Sequence, residues 1–433
     1  MLKHAPALGH TLEMARDPLQ LFVRGYHELG PVFRVRAGLY VFNVIAGPTA
    51  FEFVAQGGDA HLTAGPALGA TVTEVGAQRS LVTLEGEAHN HMRKAQRAGY
   101  SKGAFIKDAP KALAQTALRL QVWQVGDVID IFPVLQRLIM EQLGLALIGE
   151  QANDYFDDVR IYIGTVLNVH VHGLWPKLSM RLPRFLRAKQ RFVELGNRIV
   201  ARRRAGETPF RDDLIDDALA YADQNGQKLD TAELMMTVMG PFVAGMDTAA
   251  AMASFLLYDL LSHPDILRQV VQEVDTHLDE GMLTAEMFMA MPTLHAAAIE
   301  TLRMHTIAEA QPRVAVNDFV VNGYCIRKDA RVMLSGAVSH YLPTFYPEPY
   351  RYDVSRFQAP RNEHRQKHAY APYGIGAHLC LGAGVAEIQF PLNIAMLLKR
   401  FELSLAPAQY TLKVQNNPTP HPSGFKVRIA ARR

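Results

Sequence analysis

The chain has 433 residues, 49% apolar and 20% charged, with 45 Lys and Arg against 42 Asp and Glu. This composition excludes a long disordered chain, a collagen and a coiled coil, and a net charge of +3 argues against a dedicated nucleic-acid binder. Two cysteines, Cys325 and Cys380, exclude a disulfide scaffold and suit a reducing compartment. The first twenty residues hold no apolar stretch of signal-peptide length. Helical spacing of Leu19, Leu21, Phe22 and Tyr26 predicts a helix over 13–28, stopped by Gly30-Pro31. Alternation over 32–45 predicts two strands that turn near Ala37-Gly38. Residues 49–125 read as mainly helical, interrupted by the small-residue stretch 63–77. Helices follow over 131–150 and 186–204, with an apolar loop over 173–183 between them.

Residues 230–262 predict one long central helix. Its segment 234–261 is long and apolar enough to span a bilayer. Asp247 near its centre would cost roughly 3 kcal/mol on insertion, and Gly240-Pro241 and Gly245 interrupt it, so the segment reads as a buried core helix. Helices are expected over 264–280 and 292–305, then strands within 314–334 with Asn322-Gly323 as a hairpin turn. Residues 335–379 are turn-rich and basic over 361–368; a helix over 382–400 and strands over 401–430 close the chain. Repeats and linkers are absent from this pattern, so residues 1–433 read as a single mainly α domain with small β-sheets.

The most informative segment is Tyr373-Gly374-Ile-Gly376-Ala-His378-Leu-Cys380-Leu-Gly382, directly before a helix pattern. A thiolate is favoured just before a helix N-terminus, and the glycines let a flat group or backbone N–H groups come close. One cysteine completes neither a zinc nor an iron–sulfur site, whereas one axial thiolate suffices for a haem iron. Glu300 and Arg303 stand one helical turn apart, a spacing that an ordinary surface ion pair would also show. The His pairs at 89–91 and 170–172 do not share a helix face, so neither reads as a metal site. Cys325 reads as a plain strand residue.

The segment ending at Gly382 resembles the haem-binding loop of the cytochrome P450 family, with Tyr373 where the family carries Phe. Four further segments resemble the family's motifs in the family's order: His89-Asn-His-Met-Arg93, Ala244-Gly-Met-Asp247-Thr248, Glu300-Thr-Leu-Arg303, and 351–357 with Arg356, where Val354 replaces the usual proline. The resemblance implies a single-domain P450 fold with a long central helix over the haem. It implies haem b held by Cys380 as axial ligand, with Tyr373, Gly374 and Ala244 at the cofactor and Arg93, Arg313, His378 and His89 pairing its propionates. Glu300, Arg303 and Arg356 would form a structural network that pins the segment before Cys380. Asp247 and Thr248 would deliver protons; the ordinary alternative is a Thr248 hydroxyl bonded to the carbonyl four residues earlier.

The implied reaction is a monooxygenation. The sequence carries no flavin or nucleotide motif, so electrons are expected from a separate ferredoxin- or flavodoxin-type donor with its reductase. A basic face of Arg93, Lys94, Arg97, Arg361, Arg365 and Lys367 would dock it. The substrate is expected to be small and apolar, such as a terpenoid, a steroid or a fatty-acid-like molecule. Its pocket would be drawn from 62–82, 166–184, Met239 to Val243, Ile307 to Ala310 and 416–420, with Glu309 as a polar contact. The protein is expected to be a cytoplasmic monomer with neither a transmembrane anchor nor a nucleic-acid partner. Trp175, Leu178, Met180 and Leu182 beside Lys177, Arg181, Arg184 and Arg187 allow a peripheral membrane contact. The alternatives are a peroxide-driven peroxygenase on the same fold and a non-enzymatic haem sensor.

Overall fold

The computed structural model describes all residues except 1, 3–7, 280–286 and 288. Two compact units emerge, each from three separate stretches of chain: Met1–Ala70, Val82–Asn90 and Ile299–Cys380 in the first, and Thr71–Leu81, His91–Ala298 and Leu381–Arg433 in the second.

In the first unit, Asp17 opens the helix Pro18–Leu29 by accepting from the Gln20 N–H. Pro18 occupies the first turn, where a missing N–H does no harm. Leu19, Leu21, Phe22 and Val23 bury one face against Val35, Val44 and Tyr341. Gly25 permits the close approach to β1 (Val32–Ala37), because a Cβ there would lie 2.3 Å from the Phe33 ring. β1 pairs antiparallel with β2 (Tyr40–Ala46), and β2 runs parallel to β8 (Arg331–Ser335). With β5 (Gln311–Ala315) and β3 (Leu62–Thr63) the five-stranded order is β1-β2-β8-β5-β3. A separate hairpin joins β6 (Phe319–Val321) to β7 (Tyr324–Ile326) through Asn322 and Gly323, both at positive φ, as the turn signal implied.

The second unit is built on the central helix. Asp230 and Glu233 cap its start reciprocally. It runs Thr231–Gly240, makes one π-turn over Pro241–Gly245, and continues over Met246–Ser262. Pro241 has no N–H for the ladder, so the helix predicted over 230–262 is present but locally widened. Ala249, Ala250, Ala251 and Ala253 keep its lower half slim, and the helices Ile131–Leu143 and Ala383–Arg400 pack on it. Between those two helices Gln142 is fully satisfied. It donates to Thr116 and Asn393 at 2.9 Å each and accepts from Gln389 at 3.1 Å and Asn393 at 2.9 Å. Residues 131–148 and 231–262 both have the length and apolarity of a membrane span, and both are mostly buried in this unit, as core helices are. β4 (Val128–Asp130), β12 (Lys426–Arg432) and β9 (Phe401–Leu405) make a three-stranded sheet, and β10 (Val414–Gln415) pairs with β11 (His421–Pro422).

Among the described residues, three α-helices lie outside the sequence expectations. Phe156–Val166 carries Val, Ile and Thr, which weaken a helical signal, yet it buries Val159, Tyr162, Ile163 and Val166 on one face. Gly65–Thr73 contains two glycines inside the stretch expected to interrupt the helices. Leu214–Ala220 is only seven residues long and is held by a capping box from Asp213 and Asp216. The helix expected over 264–280 spans Pro264–His277, and residue 280 lies outside the described residues.

Candidate haem site

In the first unit the loop that leads from Tyr373 to Cys380 is closed by the Cys380 N–H donating to the Tyr373 carbonyl at 3.0 Å. Gly374 and Gly376 both adopt positive φ, +82° and +78°, a conformation costly for any other residue. The loop is pinned by two residues that the motif pattern does not contain. Gln311 Oε1 accepts from the Ile375 N–H at 2.9 Å, its Nε2 donates to the Ile375 carbonyl at 3.1 Å, and Asp59 accepts from the Ala377 N–H at 3.0 Å. A Cβ on Gly374 would strike Gln311, and one on Gly376 would strike Asp59 at 2.5 Å. Cys380 is exposed and not in a disulfide; Cys325 is likewise exposed, on β7.

Two residues along β5 from Gln311, on the same strand face, stands Arg313. It is buried, and desolvation pulls its guanidinium below the usual arginine range against the pull of Glu85 and Asp59. Its one hydrogen bond goes to the Pro312 carbonyl, and among the described residues it has no ion pair. A buried guanidinium without a counter-ion fits an anion such as a haem propionate. His378 lies with Nε2 2.8 Å from Glu85, its ring 4.2 Å from that of the buried His89. Burial raises the Glu85 pKa, but hydrogen bonds from His378 and the Ala64 N–H outweigh it and leave it lowered. Thus His378, expected as a propionate partner, is paired with the Glu85 carboxylate, which no sequence pattern singles out.

The same unit holds Glu300, Arg303 and Arg356 together, all fully buried. Arg303 grips Glu300 with two bonds of 2.6 and 2.9 Å and donates to the His340 and Pro349 carbonyls. Arg356 Nε is 3.5 Å from Glu300, and its Nη1 donates to Glu363 at 3.1 Å. The surface-pair alternative for Glu300 and Arg303 therefore fails. Arg361, expected in a free basic face, is instead held by Asp353 and Glu363.

The second unit carries Arg93, half-buried on the helix Gly86–Gln96, and the central-helix residues. Ala244 and Thr248 stand one turn apart on a partly open face. The Thr248 hydroxyl donates to the Ala244 carbonyl at 2.7 Å, the back-bond named above as its ordinary alternative. Asp247 is buried and faces other neighbours: Gln136 Nε2 donates to its Oδ1 at 2.6 Å. Burial raises the Asp247 pKa, and Gln136, His421 and Arg160 offset this only in part. A cavity of about 790 Å³ reaches Asp247. Of the expected pocket segments, 166–184 and 416–420 line it and the other three do not.

A model of the cytochrome P450 family matches residues 2–428. The chain is 27% identical over 411 residues to a sterol 14alpha-demethylase of Mycolicibacterium vanbaalenii, covering 92% of this chain and 89% of that protein. It is 24% identical over 422 residues to a cyclooctat-9-en-7-ol 5-monooxygenase of Streptomyces melanosporofaciens, covering 93% and 88%. A cytochrome P450DA heme domain has the same fold, with a TM-score of 0.82 and 22% identity over all of this chain and 97% of that one. The chain belongs to the cytochrome P450 family. It is a haem-thiolate monooxygenase that acts on an organic substrate, which sets aside the haem-sensor alternative.

Proposed function

We propose that residues 1–433 are one catalytic domain that binds haem b through Cys380 Sγ and oxygenates a small, apolar, steroid-, terpenoid- or fatty-acid-like substrate. Electrons come from a separate ferredoxin- or flavodoxin-type donor and its reductase, with no flavin on this chain. The observation that carries the reading is the pinned loop from Tyr373 to Cys380, which presents Cys380 in the unit that also buries the unpaired cation of Arg313. Haem, when bound, supplies the iron that activates dioxygen.

This chain's residues do the rest. Cys380 lies two residues before Gly382, the N-cap of the helix Ala383–Arg400, where a thiolate is favoured. Arg313 and Arg93, with His378 and His89, bind the propionates; Tyr373, Gly374 and Ala244 border the macrocycle. Glu300, Arg303 and Arg356 hold the segment that leads to the thiolate. Thr248 Oγ1, anchored on the Ala244 carbonyl, keeps its lone pairs to accept a hydrogen bond and so hold an O–H group at the oxygen-binding position, while Asp247 would supply the proton there through water.

The names of the two relatives, for a sterol and for cyclooctat-9-en-7-ol, support a largely apolar substrate. A test is the Soret band of the haem-loaded protein titrated with sterols, terpenoids and fatty acids. A shift with one class assigns the substrate type, and no shift with any of them overturns it. The protein is read as a cytoplasmic monomer with peripheral membrane contact through exposed Leu174, Trp175, Leu178 and Leu182. Beside them Lys177, Arg181, Arg184 and Arg187 make no ion pairs among the described residues. Failure to sediment with anionic vesicles at low salt would remove that contact. One observation favours a second reading: the Thr248 back-bond also suits a peroxide-driven peroxygenase, which needs no proton relay.

A further inference from the structure

Among the described residues, Asp247 is the sole residue of the central helix that lines the 790 Å³ cavity. Gln136, Arg160, Trp175 and His421 form other walls, and the exposed Leu182 and Arg184 lie at its margin, so it opens to solvent. A partly polar cavity of this size holds water. Gln136 is buried, and its amide fixes one oxygen of Asp247 at 2.6 Å.

His421 is buried too, stacked on Phe132 with centroids 3.9 Å apart and planes 10° apart. Its Nδ1 is 2.7 Å from the Thr419 carbonyl, which can only accept, so Nδ1 carries the ring proton and Nε2 is the bare acceptor. Burial holds this imidazole below its ordinary pKa, against the pull of Asp247 and Asp130. The charged or titratable groups around Asp247 are Arg160 and His421; Asp130 and Arg184 complete the charged residues of the cavity wall.

We propose that this cavity is the proton intake of Asp247, with His421 Nε2 taking protons from cavity water and Gln136 keeping the Asp247 carboxyl aimed into it. A hydronium in the cavity gives a proton to His421 Nε2 and leaves water. The imidazolium passes a proton through water to the Asp247 carboxylate and returns to neutral. Gln136 and His421 are positioning residues here, acting through Asp247, and the proposal rests on the reading of Asp247 as the proton source for Thr248.

The experiment follows the carboxylic C=O infrared band of Asp247 across pH in haem-loaded protein, assigned by its loss in Asp247→Asn, alongside product formed per electron. His421→Phe and Gln136→Leu each remove a group that favours the carboxylate. Both are expected to move the band's titration midpoint upward and to cut product per electron several-fold, with the pH profile moving the same way. Should either fail to load haem, His421→Gln and Gln136→Met replace them. A band midpoint and pH profile unmoved in both variants, while Asp247→Asn loses coupling, overturns the intake and leaves the relay standing. Unchanged coupling in Asp247→Asn overturns the relay reading and the intake with it.

Discussion

Two buried carboxylates sit in opposite electrostatic settings. Glu300, in the first unit, is held by two guanidinium groups and by the Asp353 N–H at 2.9 Å. Asp247, in the second, has one neutral amide for a hydrogen-bond partner and a cavity beside it. Burial raises the pKa of both carboxyls, but at Glu300 two guanidinium groups and a backbone N–H oppose the rise and lock the group in place, which is what a structural element requires. A carboxylate with a neutral partner and a route to water can gain and lose a proton at modest cost, which a proton donor requires. The same amide substitution should therefore act in opposite directions at the two sites.

The largest effect is expected at the first. Glu300→Gln, or Arg303→Ala from the other side, leaves buried charge uncompensated at a cost of about 3–5 kcal/mol, a large share of the stability of a typical domain. Little soluble, haem-loaded protein should result, as read by yield and haem absorbance; normal yield would mean the network is dispensable. Next is the axial ligand. Cys380→Ser should lose the red-shifted Soret band of the reduced carbonyl complex, whereas Cys325→Ala keeps it.

Smaller is the effect of Thr248→Ala, which should bind haem and substrate normally yet divert electrons to hydrogen peroxide, with product per electron falling several-fold. Unchanged coupling would favour the peroxygenase reading. The smallest is thermodynamic. The Asp247 pKa is raised in the folded protein, so the stabilisation from its bound proton is complete below the unfolded carboxylate range and is lost as pH rises through the raised value. Asp247→Asn removes that dependence: its melting temperature should match wild type at acid pH and exceed it at neutral pH.

What was legible in the sequence was what lies close along the chain. The Cys380 loop and the Glu300–Arg303 spacing are local patterns, and the long central helix shows in its apolar run. Burial of the ion pair was not legible, since an i, i+3 pair reads the same on a surface. Gln311, Asp59, Glu85 and Gln136 were missed because each is joined to its partner by folding, at sequence separations of 64 to 318. One signal was available: Gln311 shares its alternation on β5 with Arg313, and two polar side chains on an inward strand face need a partner. The Phe156–Val166 helix was hidden by β-branched residues that its packing overrides.

The most direct test of the contrast is one pair of thermal melts at pH 7, Glu300→Gln and Asp247→Asn against wild type, each on haem-loaded protein. The expected result is a sharply lower midpoint for the first and an equal or higher midpoint for the second. Equal losses in both would contradict it, because Asp247 would then be as structural as Glu300.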